Sequence, residues 1–297
     1  MVTRVTENMK YSLLTRNLSS VQDRCSELML QLSTQKRINR PSDDPAGMST
    51  VMNYRDMLAS MEQYGRNIDG CTAWLNITES TLSSVNDILV KVQETAISQA
   101  SATATAATRQ ESAATLESLI DQVLSLANTK LGDRYIFSGT KTGTKPFEVD
   151  GSYEGNGEEM TLNIGKDRTM HYSFSGEAVF TDMGAGTVDI FGTLNELKTA
   201  LAGNDVEGIR ATLDDLKAAQ QQVTRYQAIC GTRTNDLEIT KGNYEALKEN
   251  ITGLMSNTED ADVTKLVTDF QMKQLALQAS YYMAGEIGKI SILNFIK

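Results

Sequence analysis

Arg37-Ile38-Asn39-Arg40-Pro41-Ser42-Asp43-Asp44-Pro45-Ala46-Gly47 concentrates helix-breaking chemistry that the rest of the chain almost lacks. Two prolines four apart disfavour helical geometry for Arg40 and Asp44, the residues before them, and are expected to stop the preceding helix. Asp43 or Asp44 can then cap a new helix whose first position suits Pro45. Pro41, Ser42, Asp43, Asp44 and Pro45 thus read as a stiff linker between two helices. The one other proline is Pro146, so 46–145 and 147–297 hold no further break of this kind.

On either side of the linker, apolar residues recur at alternating spacings of three and four, the mark of a stripe along one helix face. Upstream the stripe is Leu14, Leu18, Val21, Cys25, Leu28 and Leu32. Downstream it runs Ile68, Cys71, Leu75, Thr78, Leu82, Val85, Leu89, Val92 and Ala96. An Ala/Ser/Thr-rich passage, Gln99 to Thr108, invites a turn, after which Leu116, Leu119, Val123 and Leu126 resume the stripe on a returning helix. The longest register is Val223, Tyr226, Cys230, Arg233, Leu237, Thr240, Tyr244, Leu247, Ile251 and Leu254. Its polar members, Arg233 and Thr240, are expected to fix register at some cost in stability. Ser256 to Asp262 is rich in capping residues and reads as a break. The last helix then carries Val263, Val267, Phe270, Leu277, Tyr281 and Ala284. A second stripe on it is Met272, Ala276, Ala279, Met283, Ile287 and Ile290, followed by Leu293 and Phe295. Two faces of that helix want cover, and one left bare would be an aggregation hazard.

The middle differs. Eleven of the 21 glycines fall between Gly132 and Gly192, which marks turn-rich territory. Phe147–Val149, Glu159–Ile164, Arg168–Phe174 and Thr187–Ile190 mostly alternate with a period of two and are expected to be strands. Leu194–Leu201 reads as a short helix ended by a left-handed cap at Gly203. The fold class is therefore mainly α. N- and C-terminal segments form a long antiparallel helical rod or coiled coil, and a small β-rich domain is inserted in the middle.

Composition narrows the function. A formal charge of −10 without a local basic cluster argues against nucleic acid as a partner. No run of about 18 apolar residues suggests membrane insertion, and the start lacks the apolar core of a cleaved signal. Cys25, Cys71 and Cys230 share no spacing and suggest neither a disulfide framework nor a zinc site. Each sits on a stripe, as a small core residue would. His171, the one histidine, is expected to be a half-buried strand residue. The acidic run Asp150–Glu159 does not match the twelve-residue calcium loop. Phosphate-binding, zinc-protease and nucleophile motifs are missing, so neither catalytic residues nor a metal or cofactor are expected.

Leu32 through Gly47 closely resembles the N-terminal signature of the flagellin superfamily. Arg4–Met9, Gln63–Ile68 with Trp74-Leu75, Asn128–Lys141 and the end from Leu277 to Phe295 resemble its hook–filament junction branch, the hook-associated protein 3 family. The resemblance covers about 1–146 and 192–297 and leaves the insert unassigned.

It implies three layers. Segments 1–41 and 260–297 would form an inner-tube coiled coil, 42–140 and 204–259 a helical rod, and 141–203 an outward β-rich knob with a short helix. It also implies a structural adaptor, not an enzyme, that joins hook to filament in the extracellular flagellum. Export would run unfolded through the flagellar type III apparatus without a cleaved signal. The implied partners are copies of itself in a ring, the other hook-associated junction protein, flagellin, and a chaperone holding the C-terminal helix. The assembly interface would then be Leu14, Leu18, Val21, Leu28, Leu32, Val267, Phe270, Leu277, Tyr281, Ile287, Leu293 and Phe295, buried when neighbouring copies pack. Filament flagellin itself is the near alternative; a soluble coiled-coil interaction module is the distant one.

Overall fold

The computed structural model describes residues 2–181, 184 and 187–295; side chains of 2–8, 10 and 287–295 lie outside the description. Its helices are α1 (Val2–Thr34), α2 (Pro45–Gln99), α3 (Ala106–Ala127), α4 (Gly176–Phe180), α5 (Ile190–Ala202), α6 (Val206–Glu259) and α7 (Val263–Phe295). Two antiparallel hairpins, β1 (Lys130–Leu131) with β2 (Arg134–Tyr135) and β3 (Thr161–Gly165) with β4 (Arg168–His171), make up its sheets. The chain is mainly α, with long terminal helices and only small two-stranded sheets between them.

Two compact units divide it: a terminal one, Met1–Ala59 with Leu247–Lys297, and a central one, Ser60–Ala246. In the central unit the expected stripe of α2 is closed off: Ile68, Cys71, Leu75, Leu82, Val85, Leu89, Val92 and Ala96 are all buried, as is Thr78. They share one core with Leu116 and Val123 of α3 and with Val223, Cys230 and Leu237 of α6. The same core continues into the insert through Phe137, Phe147, Phe174, Phe180 and Phe191. Phe137 meets Phe180 edge-on at 5.2 Å between centroids, and Phe147 meets Phe180 at 5.3 Å.

The Tyr135–Thr140 stretch carries that continuity. Ile136, Phe137 and Ser138 are fully buried. The Phe137 carbonyl accepts from the Gly176 amide at 2.6 Å and the Tyr153 hydroxyl at 3.0 Å. Gly139 has φ +67°, and a side chain there would come within 2.2 Å of the Asn156 carbonyl. Only glycine meets both demands.

Strand expectations need several corrections. Arg168–Phe174 is a strand only as far as His171, Glu159–Ile164 becomes Thr161–Gly165, and Phe147–Val149 keeps just an isolated bridge from Phe147 to Tyr153. Thr187–Ile190 is not a strand. The Gln222 side chain on α6 accepts the Val188 amide at 3.0 Å, doing the work of a neighbouring strand, and Ile190 opens α5. The α5 cap is not left-handed at Gly203 (φ −79°); Asn204 takes the positive φ, +53°. His171 is exposed rather than half-buried, with Nδ1 3.4 Å from a Glu159 carboxylate oxygen.

Helix limits move for similarly local reasons. The first helix ends at Thr34, seven residues before Pro41, because Gln35 turns left-handed at φ +58°. The break expected at Ser256 starts only at Asp260, since α6 runs on to Glu259. The passage after Gln99 does turn, and Thr105 restarts the chain as the N-cap of α3 through a capping box with Thr108.

Candidate assembly interface

The linker arises from short-range hydrogen bonding. Asp43 accepts the Arg40 amide at 2.8 Å and the Asn39 amide at 3.0 Å. The backbone bonds to Arg40 and Asn39 hold its carboxyl below the usual carboxylate range. Asp44 caps α2 instead, accepting the Gly47 amide at 2.9 Å, with Pro45 at the first helical position as its fixed φ favours. A methyl group on Gly47 would lie 2.6 Å from Ile38 Cδ1 and 2.5 Å from the Asp44 carboxylate. A side chain at this position would make Ile38, only 1% exposed beside it, and the Asp44 cap shift.

Within the terminal unit this turn is pinned to the end of α6. The Arg37 amide donates to the Glu259 carbonyl at 2.7 Å, and the Arg37 guanidinium donates to the Thr258 carbonyl at 2.8 Å. The Glu259 carboxylate is nearly inaccessible and pairs with Lys36 Nζ at 2.8 Å and with the Arg55 guanidinium. A buried carboxylate is costly unless compensated, so Glu259 requires both cations and holds Lys36 and Arg55 in place. The Ala261 amide donates to the Gln35 carbonyl at 3.0 Å, and Lys36 bridges Asp260 in antiparallel fashion. The C-terminal end of α1 therefore meets the N-terminal end of α7, and the two helices lie antiparallel along each other.

That pairing covers little. On α1, Leu28 is buried while Leu14, Leu18, Val21, Cys25 and Leu32 are half-buried. On α7, Leu266 is buried, Phe270 and Leu277 are half-buried, and Val267 and Tyr281 are exposed. Ile287, Leu293 and Phe295 lie outside the described side chains. Pro41, Ser42, Asp43 and Pro45 of the linker are exposed and Asp44 half-exposed. Away from the α1 seam, α7 presents Met272, Leu275, Tyr282 and Met283, each more than half exposed. On α1, Met9, Tyr11, Leu13 and Met29 are likewise more than half exposed.

Several of these residues escaped the sequence reading. Leu266 is one step from the expected Val267, and spacing alone does not decide which edge of a broad stripe faces inward. Glu259 read as part of a capping-rich break; its partners lie 223 and 204 residues away, and no local signal points to them.

The polar members of the α6 stripe have another use. Arg233 stacks over Phe174 at 4.5 Å and donates to Glu159 at 3.2 Å. Thr240 accepts from Arg168, which also forks onto Asp236 with two 2.7 Å bonds. They bind the β3–β4 hairpin to the helices of the central unit. Register within that unit is set by strand-to-helix contacts rather than by a helical seam alone. No helix among the described residues is long and apolar enough to cross a membrane, and no three His, Cys, Asp or Glu side chains gather there as a metal site.

Comparison with known proteins places this geometry. The model of the bacterial flagellin N-terminal helical region matches residues 5–142, and that of the C-terminal helical region matches 213–296. Flagellar hook-associated protein 3 of Escherichia coli K12 is 31% identical, covering 99% of this chain and 100% of its own length. The Salmonella typhimurium protein of that name is 30% identical, over 98% and 99%. Flagellin of Bacillus subtilis is 28% identical over 91% of each chain. Among solved structures, FlgL of Bacillus cereus has a TM-score of 0.61 at 22% identity, covering 69% of this chain and 99% of that one. Hook-associated protein 3 of Legionella pneumophila has a TM-score of 0.62 at 15% identity, over 70% and 98%. These two likenesses bear on the fold.

Proposed function

The chain belongs to the hook-associated protein 3 branch of the flagellin family, and from that premise we propose that it joins the flagellar hook to the filament by packing its terminal helices against neighbouring subunits. The observation that carries this reading is the pair α1 and α7, which buries one apolar residue on each helix, Leu28 and Leu266, among the described residues. Large apolar side chains are left on their outer faces. Burying a Leu or Phe side chain contributes roughly 1.5–3 kcal/mol, while ordering a residue's backbone costs about 1–2 kcal/mol. A helix pair with so few closed-off side chains gains order when further copies cover it.

In this reading 1–41 and 260–297 line the inner tube, 42–140 and 204–259 form the rod, and 141–203 face outward. Leu14, Leu18, Val21, Leu28, Leu32, Val267, Phe270, Leu277, Tyr281, Ile287, Leu293 and Phe295 become the packed interface. Pro41 to Pro45, held by Asp43, Asp44 and Glu259, form the linker between tube and rod. Its neighbours are copies of itself, the other hook-associated junction protein and flagellin. Before assembly it travels through the flagellar type III apparatus, with a chaperone shielding α7, to its extracellular place at the junction. The role is structural rather than enzymatic.

Deleting the gene and inspecting cells and medium tests this. Intact hooks with flagellin shed into the medium are expected. Hooks without filament and without shed flagellin would instead assign the chain to the filament.

A further inference from the structure

Methionine is unevenly placed in this molecule. Met9, Met29, Met52, Met57, Met272 and Met283 are between 48% and 64% exposed, and all six belong to the terminal unit. The described methionines of the central unit, Met61, Met160 and Met170, are half-buried, the last two packed against the core. Among the described residues, exposed thioethers are therefore confined to the unit whose apolar faces await cover. Met272 and Met283 stand eleven residues apart, three helical turns, and so share the outer face of α7 with Leu275, Ala279 and Tyr282.

We infer that Met272 and Met283 are a peroxide-modification site that decides whether a subunit can be incorporated, an inference that rests on the assembly reading above. The sulfur lone pair attacks a peroxide oxygen, the O–O bond breaks, an S–O bond forms and water leaves. The thioether is oxidised by two electrons to the sulfoxide and the peroxide is reduced. Reversal needs a dithiol, which takes the oxygen off as water and becomes a disulfide. A sulfoxide places a strong acceptor on a face made of Leu275, Ala279 and Tyr282, where burial strips its water and supplies few donors. Once neighbours cover that face the sulfurs are shielded, so the sensitive interval lies between release of α7 by its chaperone and incorporation. Among the described residues of the central unit, Met160 and Met170 pack against the core and are spared.

The test uses the full-length chain and hooks isolated from cells lacking it. Protein is treated with hydrogen peroxide, sulfoxides are located by peptide mass spectrometry, and binding is read by co-pelleting. Met272 and Met283 should oxidise ahead of Met160 and Met170, and the pelleted fraction should fall by roughly 10-fold or more. Trp74 emission, reporting the central unit, should not change. Treatment with both methionine sulfoxide reductases and a dithiol should restore binding. The M272L/M283L double variant, which keeps apolar volume but cannot form sulfoxide at these positions, should lose no more than about 2-fold of its own untreated binding after peroxide. Unchanged pelleting of fully oxidised protein overturns the inference, as does an equal loss in the double variant. Failure of untreated protein to pellet overturns the assembly reading itself, so the two failures are told apart.

Discussion

In the central unit, consecutive turns of α2 close off Ile68, Cys71, Trp74, Leu75, Leu82, Val85 and Leu89, whereas in the terminal unit the longer run of α1 and α7 closes off Leu28 and Leu266 among the described residues. Both regions are written with the same spacing of threes and fours. The difference lies in what faces the stripe. In the centre, α3, α6 and the aromatic insert supply cover from the same chain, and Arg233, Arg168 and Gln222 tie that cover down through side-chain hydrogen bonds. At the ends, two helices face each other and the remaining sides look outward. A stripe records that a helix needs a partner without recording whose chain provides it.

The contrast can be broken most forcefully in the core. Phe180→Ala removes a ring packed against Phe137, Phe147 and Phe191 and should cost about 3–5 kcal/mol, read as a lower urea midpoint in Trp74 fluorescence. Leu18→Ala, on the half-buried α1 seam, should leave that midpoint unchanged in dilute protein while weakening assembly. Next in size is Glu259→Gln, which strips a buried carboxylate of its charge opposite Lys36 and Arg55. On the order of 2–3 kcal/mol should be lost locally, the half-exposed cations softening the effect, and seen as faster hydrogen exchange at the Arg37 and Ile38 amides. Gly47→Ala crowds Ile38 and the Asp44 cap and should cost about 1–2 kcal/mol in the same exchange measurement.

The smallest effect is alkaline. Burial pushes the Cys71 thiol up to about 11 and that of Cys230 up to about 12, from 9.0, and desolvation raises the Tyr153 phenol to about 12. The unfolded chain releases these protons first. The stability they contribute is thus whole below pH 9 and is lost as pH climbs from there toward the folded values. Urea midpoints should fall above pH 9 in the central unit, by at most about 1 kcal/mol per thiol over the first pH unit. At pH 8 a thiol reagent should label half-buried Cys25 well before buried Cys71 and Cys230.

Much of this was legible in residues. The stripe from Ile68 to Ala96, Pro45 opening α2 and the turn after Gln99 follow from local chemistry, which acts over a few residues. Elements settled by distant partners were not legible. Thr187–Ile190 alternates like a strand, yet its Val188 amide is taken by Gln222, 34 residues on. The hairpin at Lys130–Tyr135 and the helix Gly176–Phe180 are too short to leave a periodic trace. At the interface, composition exposed the greasy second face of α7 but not Glu259, whose meaning depends on Lys36 and Arg55 arriving beside it.

Hydrogen exchange on the full chain, first dilute and then bound to hooks, bears most directly on the claim that the ends gain their order from neighbours. In dilute protein, residues 5–32 and 263–290 should exchange far faster than the helices of the central unit, and the hook-bound state should slow them to match. Equal and strong protection of all these helices in the dilute protein would contradict it.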